Sequence, residues 1–273
     1  MIAIYEPKGA AREYAPLAVN LYSGCAHGCL YCYAPGCTHR TRADFAHVTP
    51  RKGILDALKK DLKKRLGDKR PVLLSFSSDP YPAMEATERL TRAAMELLVG
   101  ARMNVRLLTK NPGLALKLDS DLLVAGRVEF GTTIIFRDDA FRQVWEPNAP
   151  TIESRWLALK WAHEVLELKT WVSVEPVINP PEAIRVISGF AAYVDLWKIG
   201  RWNHDARANN IDWRRFGLDA LALLTRLGAH YYIKDALWKS AGLAGSGYAK
   251  EVSIASGGGV AASAHTRDGE GTK

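Results

Sequence analysis

The chain of 273 residues has the sequence pattern of an α/β protein built around a parallel sheet. Short apolar or β-branched runs alternate with longer segments whose apolar residues recur at the helical period. Seven runs predict strands over residues 17–21, 72–76, 105–108, 128–135, 171–174, 193–199 and 231–233. Because parallel neighbours need a crossover connection, this alternation predicts right-handed β–α–β units. The strand count falls short of the eight units of a closed barrel.

Amphipathic segments between these strands predict helices over residues 50–66, 86–99, 113–125, 151–168, 181–189 and 212–227. In the first of them Ile54, Leu58 and Leu62 fall on one stripe. Pro50 stands at its start and Gly67 follows its end, which are typical helix boundary signals. Each helix can therefore cover the sheet with one apolar face.

The chain is predicted to form one domain over residues 1–240, since neither an internal repeat nor a linker-like segment interrupts the alternation. From residue 241 the composition changes, and Gly, Ala and Ser account for 19 of the last 33 residues. Such a composition buries little apolar surface, so residues 241–273 are predicted to form a flexible tail.

Composition excludes several classes of protein. With 48% hydrophobic and 24% charged residues, the chain is neither collagen-like nor compositionally disordered. No apolar run is long enough for a membrane helix, and the N-terminus lacks a signal-peptide pattern, so we expect a cytoplasmic protein without membrane contact.

The net charge of +8 is concentrated in one part of the chain. Residues 39–70 carry eleven Lys and Arg against four Asp. A patch of this kind is typical of a surface that contacts phosphates, although a solvated helix face gives the same pattern.

All four cysteines lie within thirteen residues, in the segment SGCAHGCLYCYAPGC, at Cys25, Cys29, Cys32 and Cys37. A secreted disulfide protein spreads its cysteines, whereas clustered thiols favour metal binding or redox chemistry. Zinc is one option, with His27 or His39 completing the site. An iron–sulfur cluster is the other, and three ligands would leave one of its irons open.

The spacing C-x3-C-x2-C, with an aromatic residue (Tyr31) before the last cysteine, resembles that of radical S-adenosylmethionine (SAM) enzymes. The run NLYSGCAHGCLYCYA is similar to the branch that contains spore photoproduct lyase and its phage-encoded relatives. The stretches SFSSDPYPAMEATERLTR, VRLLTKN, VEFGTTI and WEPNAPTIESR extend the resemblance over residues 15–240.

The resemblance implies a partial (β/α)6 barrel of the TIM type, open on one side. It further implies a [4Fe–4S] cluster held by Cys25, Cys29 and Cys32, with SAM chelating the remaining iron. An electron from a flavodoxin-type reductase would then cleave SAM to a 5′-deoxyadenosyl radical. Cys37 lies outside the three-cysteine pattern, and we expect it not to bind the cluster.

Polar residues follow nearly every predicted strand, where parallel barrels build their active sites. The resemblance assigns SAM contacts to Lys110 in the TKN motif, to Ser77, to Thr132 or Thr133, and to the backbone of Tyr31. Glu175 in SVEP is a candidate acceptor for ribose or substrate, or a salt-bridged structural residue. Lys110 and Glu175 are the predicted catalytic side chains.

Two segments are predicted to contact a nucleic acid. His39, Arg40 and Arg42 follow the cysteines and suit phosphate contacts. The loop RWNHDARANN supplies Trp202, Asn203, His204 and Arg207, which suit stacking on an extruded base, or it is a connection without such a role.

Spore photoproduct lyase-like enzymes use a further, distant cysteine as hydrogen-atom donor, and this chain has none beyond Cys37. The resemblance to phage relatives, which act on hypermodified thymine, therefore favours an isomerase or mutase for a modified thymidine in DNA. Such a protein would work as a monomer in the cytoplasm, that of the host if phage-encoded. A thymine-lesion lyase and a non-catalytic zinc-binding nucleic-acid module are the alternatives.

Overall fold

The computed structural model describes residues 1–243, so residues 244–273 of the predicted tail lie outside the described part. Nine strands are present: β1 (Leu17–Val19), β2 (Tyr22–Ser23), β3 (Thr49–Pro50), β4 (Val72–Leu74), β5 (Val105–Thr109), β6 (Glu129–Thr133), β7 (Thr170–Val177), β8 (Leu196–Arg201) and β9 (Tyr231–Ile233) within residues 1–243. The α-helices of the same region are α1 (Ala34–Cys37), α2 (Arg42–Ala46), α3 (Ile54–Lys63), α4 (Glu85–Glu88), α5 (Leu90–Gly100), α6 (Pro112–Ala125), α7 (Asp139–Trp145), α8 (Ile152–Glu164), α9 (Pro180–Phe190), α10 (Trp213–Arg226) and α11 (Asp235–Ser240).

Seven of the strands form one parallel sheet in the order β1-β4-β5-β6-β7-β8-β9. Each of these strands pairs with the next member of the sheet along the chain, and the successive crossovers contain α3, α5, α6, α8, α9 and α10. The sheet curls without pairing β9 to β1, so the predicted partial barrel is confirmed. Strands β2 and β3 form a separate antiparallel pair.

The boundaries of several predicted elements differ from those in the structure. The first crossover helix begins at Ile54 because Gly53 has a positive φ of 71°. The next predicted helix is divided in two by Arg89, whose φ of 52° ends α4 before α5 begins. Helices α1, α2, α7 and α11 have no counterpart in the predicted pattern, since each is too short to display helical periodicity.

The curled sheet has an outer face toward the helices and an inner face toward a lumen. Side chains alternate between these faces along each strand. Leu74, Leu107 and Val172 pack outward into the main apolar core. Leu73 and Trp171 pack inward in a second, smaller cluster.

The N-terminal segment enters the lumen on the open side of the barrel. Tyr14 Oη lies 2.8 Å from Ser173 Oγ on β7. Its carbonyl accepts hydrogen bonds from Arg106 Nη1 (2.6 Å) and Lys198 Nζ (3.2 Å), and Lys198 also donates to the Glu13 carbonyl (2.8 Å). These contacts place the N-terminal segment inside the lumen, against the inner faces of β5, β7 and β8.

No helix among residues 1–243 is both long enough and apolar enough to cross a membrane.

The lumen packing predicts a sharp difference between two glycine substitutions. A Cβ atom at Gly131 on β6 would lie 2.2 Å from the buried ring of Trp171. We expect Gly131→Ala to lower the free energy of unfolding by about 1–3 kcal/mol through overpacking. Urea denaturation followed by circular dichroism measures the change.

Gly113→Ala is the matched control, because Gly113 lies in the first turn of α6 and its added Cβ would meet no atom within 4 Å. This substitution should leave stability unchanged or raise it, since Ala favours the helix over Gly. Equal destabilisation by both substitutions would contradict the packing described for Trp171.

Candidate functional site

The loop that carries the cysteines follows β2 and is held by two other parts of the chain. Gly24 opens it with a φ of 87°, and a Cβ there would lie 2.3 Å from the His47 carbonyl oxygen. Cys25 N donates to Phe45 O (2.8 Å), and Leu30 N donates to Trp145 O (2.9 Å). These bonds fix the loop above the carboxyl ends of the strands.

Cys25, Cys29 and Cys32 line one cavity of about 120 Å3 at these strand ends. Four predicted cofactor-binding residues line the same cavity: Tyr31, Ser77, Lys110 and Thr133. Cys37 is absent from the lining and is exposed at the end of α1. The structure thus separates the three motif cysteines from the fourth.

Asp79 ties the cysteine loop to the ends of two strands. Its carboxylate lies 3.0 Å from His27 Nε2 and accepts hydrogen bonds from Thr109 Oγ1 (2.6 Å) and Lys110 N (2.7 Å). Burial opposes the charged form, but the His27 and Thr109 interactions and the Lys110 amide lower the pKa of Asp79 to about 2. His27 is therefore committed to Asp79 and is not placed as a metal ligand.

Lys110 carries a positive charge into the cavity. Its Nζ lies 5.5 Å from the centre of the Tyr31 ring and 3.9 Å from Glu146 Oε1. Burial opposes this charge, whereas Cys29 and Glu146 favour it and raise the pKa of Lys110. The ammonium group therefore stays protonated beside the cysteines.

A buried pair supports Lys110 from behind. Glu146 and Arg155 are both fully buried, with Arg155 Nη1 2.6 Å from Glu146 Oε2. Tyr31 Oη donates to Glu146, and Arg155 Nη1 also donates to the Thr133 carbonyl (3.0 Å). The pair positions Tyr31, Lys110 and Thr133 without facing a ligand itself.

Thr132 does not lie where it was predicted. It alternates with the inward-facing Thr133 on β6, so its side chain points toward the helices and is fully buried. Within residues 1–243 its hydroxyl has no hydrogen-bond partner. Because the two threonines are adjacent on one strand, only Thr133 faces the cavity. Ser77 is positioned by Asn20, whose Oδ1 accepts the Ser77 amide at 3.0 Å.

Glu175 lies in the lumen and does not line the cysteine cavity. Lys234 Nζ is 2.8 Å and 3.0 Å from its two carboxylate oxygens, and Tyr14 Oη donates to it. Gly200 on β8 makes room for Glu175, since a Cβ there would meet its Cδ at 2.4 Å. Of the two roles predicted for Glu175, the structure shows the salt-bridged one. A role in SAM or substrate contact requires a ligand that extends into the lumen.

Tyr14 was missed because it precedes the first strand and belongs to no motif. Burial and then the neighbouring Glu175 raise the pKa of its phenol well above the usual value. Lys234 Nζ lies 4.5 Å from its ring centre. Tyr14 therefore remains protonated and donates to Glu175 on the inner face of the barrel.

The predicted phosphate contacts after the cysteines are largely used within the protein. Arg42 donates to the carbonyls of Cys29 (3.0 Å) and Leu30 (2.7 Å). Arg40 donates to Ser23 Oγ (3.1 Å) and to the Asp44 carbonyl. His39 is exposed and adopts a positive φ of 53°. The segment 40–47, which includes α2, folds back onto the cysteine loop, and the sequence pattern does not reveal this.

The second predicted contact segment also packs differently from the prediction. Trp202 is buried, 4% exposed, with its ring edge-on to Trp145 at 5.4 Å, so it is not free to stack on a base. Arg207 covers both tryptophan rings and pairs with Asp205 at 2.7 Å. In the same segment Asn203 donates to the Arg201 carbonyl (3.1 Å). His204 is exposed, and the centre of its ring lies 6.5 Å from that of Tyr33.

The three cavity cysteines are the residues that could hold a metal. Zinc sites bring four ligands within about 2.0–2.3 Å of one point. Among the described residues, no group of three or more His, Cys, Asp or Glu side chains is arranged to hold a metal ion. Thiols spread around one cavity fit a multi-iron cluster, in which each cysteine binds a different iron.

Comparison with known proteins finds relatives whose sequence similarity extends over only part of each chain. An uncharacterised protein of Acidianus two-tailed virus is 31% identical over 181 residues, 62% of this chain and 58% of its own length. An uncharacterised protein of Mycobacterium tuberculosis H37Rv is 28% identical over 182 residues and is covered over 52% of its length. The match thus spans less than two thirds of each relative. No family model matches the chain.

Solved structures give broader matches to the fold. Spore photoproduct lyase complexed with dinucleoside spore photoproduct aligns with a TM-score of 0.63 and 14% identity, over 84% of this chain and 80% of that one. Streptococcus suis SuiB bound to S-adenosylmethionine aligns with a TM-score of 0.61 and 11% identity, over 82% of this chain and 51% of that one. The chain therefore has the fold of radical SAM enzymes, as its sequence motifs predict.

The Asp79 bridge predicts a pH-dependent contribution to stability. The folded-state pKa of about 2 lies below the ordinary value near 3.8, so the contribution is present at neutral pH and is lost as pH falls through about 4 to 2. We expect Asp79→Asn to be less stable than wild type by about 2 kcal/mol at pH 6, with the difference shrinking below pH 4. Urea denaturation at several pH values measures it.

Asp121→Asn is the control, because Asp121 has a similarly lowered pKa but lies on the surface beside Arg92. Solvent screens that pair, so its loss should change stability much less. A wild-type-to-Asp79→Asn difference that stays constant from pH 6 to pH 2.5 would contradict the bridging role of Asp79.

Proposed function

We propose that this protein is a radical SAM enzyme that binds a [4Fe–4S] cluster through Cys25, Cys29 and Cys32. The observation that carries the proposal is their position in one cavity, together with Lys110, at the carboxyl ends of parallel strands. Carboxyl ends of parallel strands are where barrel enzymes bind their ligands. When bound, the cluster and SAM together supply a carbon-centred radical that abstracts hydrogen.

The protein's own part in this reaction is to bind and orient SAM. Lys110 is a protonated ammonium in the cavity and suits the SAM carboxylate as a point charge. Ser77 and Thr133 offer hydroxyl groups to the amino and ribose groups. The Tyr31 segment is fixed by the hydrogen bond from Tyr31 to Glu146, which suits backbone contact with the adenine.

Within this class, we favour rearrangement of a modified thymidine in DNA, catalysed by an isomerase or mutase. A rearrangement returns the abstracted hydrogen to the product and needs no separate thiol donor. The only cysteine besides the motif set, Cys37, is exposed and is not part of the cavity lining. An excess of positive charge around residues 39–70 supports a DNA substrate.

Repair of a thymine lesion is the second candidate. Its support is the similarity in fold to spore photoproduct lyase complexed with dinucleoside spore photoproduct. Tyr14 would then be the group to examine as hydrogen donor, since its protonated phenol lies on the lumen face. A zinc-binding module without catalysis has less support, because His27, a candidate ligand for zinc, is hydrogen-bonded to Asp79.

Cysteine substitutions test the cluster assignment directly. After anaerobic reconstitution we expect wild type to bind about four irons per chain and to release 5′-deoxyadenosine from SAM when reduced. Cys29→Ala should lose both properties, whereas Cys37→Ala should keep its iron and SAM cleavage. Iron assay and chromatography of the products measure them. Loss of iron from Cys37→Ala would overturn the three-ligand assignment, and zinc bound in place of iron would favour the non-catalytic module.

Removing the Lys110 charge should affect SAM more than the cluster. We expect Lys110→Met to retain iron but to bind SAM at least tenfold more weakly, since a charged contact contributes about 1.5–3 kcal/mol. Equilibrium dialysis with labelled SAM measures the affinity. Lys117→Met, on α6 outside the cavity lining, is the control. Equal SAM affinity in wild type and Lys110→Met would remove Lys110 from the site.

Nucleoside mass analysis separates the candidate reactions. The reduced protein is incubated with SAM and one of two DNAs, which carry either modified thymidines or dithymine lesions. Each DNA is then digested to nucleosides, and their masses and retention times are measured. An isomerase leaves the mass of the modified nucleoside unchanged and shifts its retention time. A lyase instead converts the dithymine lesion into two thymidines, which would overturn the rearrangement proposal.

A further inference from the structure

Arg42, the first residue of α2, reaches back to the segment between the second and third motif cysteines. Its Nη1 donates to the Cys29 carbonyl (3.0 Å). Its Nη2 donates to the Leu30 carbonyl (2.7 Å) and lies 3.5 Å from the Cys32 carbonyl. One guanidinium therefore links three backbone oxygens within four residues of the loop.

The helix that carries Arg42 is itself fixed at its start. Thr41 caps α2, with its Oγ1 accepting the Asp44 amide at 3.1 Å. The Phe45 carbonyl accepts the Cys25 amide at 2.8 Å. Arg42 thus connects one fixed element to the loop that presents Cys29 and Cys32, and its planar fork suits two adjacent acceptors better than a lysine would.

The charge of Arg42 is not neutralised by a carboxylate. The ion pairs within residues 1–243, from His27–Asp79 to Lys234–Glu175, do not include Arg42. The nearby Asp44 accepts a hydrogen bond from Thr41 instead. A full positive charge consequently lies beside the peptide groups of two predicted cluster ligands. Net charge and hydrogen bonding around an iron–sulfur cluster are among the factors that set its reduction potential.

We propose that Arg42 is a positioning residue that holds the Cys29–Cys32 segment and raises the reduction potential of the cluster. This inference rests on the proposed function, because it concerns the cluster assigned to these cysteines. The charge favours the reduced, more negative state of the cluster, so less driving force is required from the electron donor.

Potentiometric titration followed by EPR tests this role on the full-length reconstituted protein. Arg42→Gln removes the charge but retains an amide donor for one carbonyl. We expect the equilibrium constant for one-electron reduction of the cluster to be at least tenfold lower in Arg42→Gln than in wild type. This change corresponds to a midpoint potential about 59 mV more negative. Arg42→Lys retains the charge, so its potential should stay near that of wild type while a chelator removes its iron faster.

Arg40→Gln is the matched control. Arg40 lies two residues away, but its acceptors are Ser23, Asp44 and His47, none of which lies between Cys25 and Cys32. Its loss should leave the midpoint potential unchanged. A shift as large as that of Arg42→Gln would show that any nearby arginine acts equally, and would overturn the assignment to Arg42.

The outcomes separate this inference from the proposed function. Failure of wild type to assemble a cluster contradicts the proposed function itself. A wild-type potential in Arg42→Gln contradicts the charge role of Arg42 and leaves only a structural one. If Arg42→Gln assembles no cluster, the test is the midpoint potential of Arg42→Lys, which keeps the charge. A potential equal to that of wild type supports the role of the charge. A potential about 59 mV more negative contradicts it.

Discussion

The carboxylate of Asp79 is the interaction on which the site depends. It joins three separate parts of the chain, namely the cysteine loop through His27, the turn after β4, and the end of β5 through Thr109 and Lys110. A buried carboxylate is unfavourable without partners, so these donors and the carboxylate stabilise one another. The loop that carries the three motif cysteines is consequently positioned relative to Lys110, which presents the ammonium group.

The barrel divides its lumen into two functional zones. Nearer the amino-terminal ends of the strands, Trp171, Arg106 and the inserted Tyr14 fill the space. At the carboxyl ends, polar side chains and the cysteine loop surround an open cavity. Glu175 and Lys234 stand at the boundary between these zones. This arrangement leaves the open cavity at the carboxyl ends, where the three motif cysteines lie.

Periodicity and spacing revealed the fold and the centre of the site. All seven sheet strands and six crossover helices were predictable because local apolar patterns determine them. Cys25, Cys32 and Lys110 could be grouped because motif spacing and strand ends bring them to one edge of the sheet. These features depend on local sequence and on a general rule for parallel sheets.

Side-chain partners at longer range could not be predicted in the same way. Thr132 and Thr133 are neighbours on β6 and therefore face opposite sides of the sheet. An error of one residue in the predicted register exchanges the two faces, so the sequence alone does not say which threonine faces inward. Trp202 looked like a surface aromatic, but it packs against Trp145 from a distant helix. Arg42 was predicted to contact phosphate because its sequence neighbours are basic. Its acceptors are backbone carbonyls, which every residue has, so no residue type in the sequence indicates them.

The most direct measurement of the central claim is EPR spectroscopy of the anaerobically reconstituted and reduced protein before and after SAM is added. We expect a signal typical of a reduced [4Fe–4S] cluster, with g values that change when SAM binds, because three cysteines leave one iron open to it. A cluster signal that SAM leaves unaltered, or a protein that binds no iron, would contradict the account.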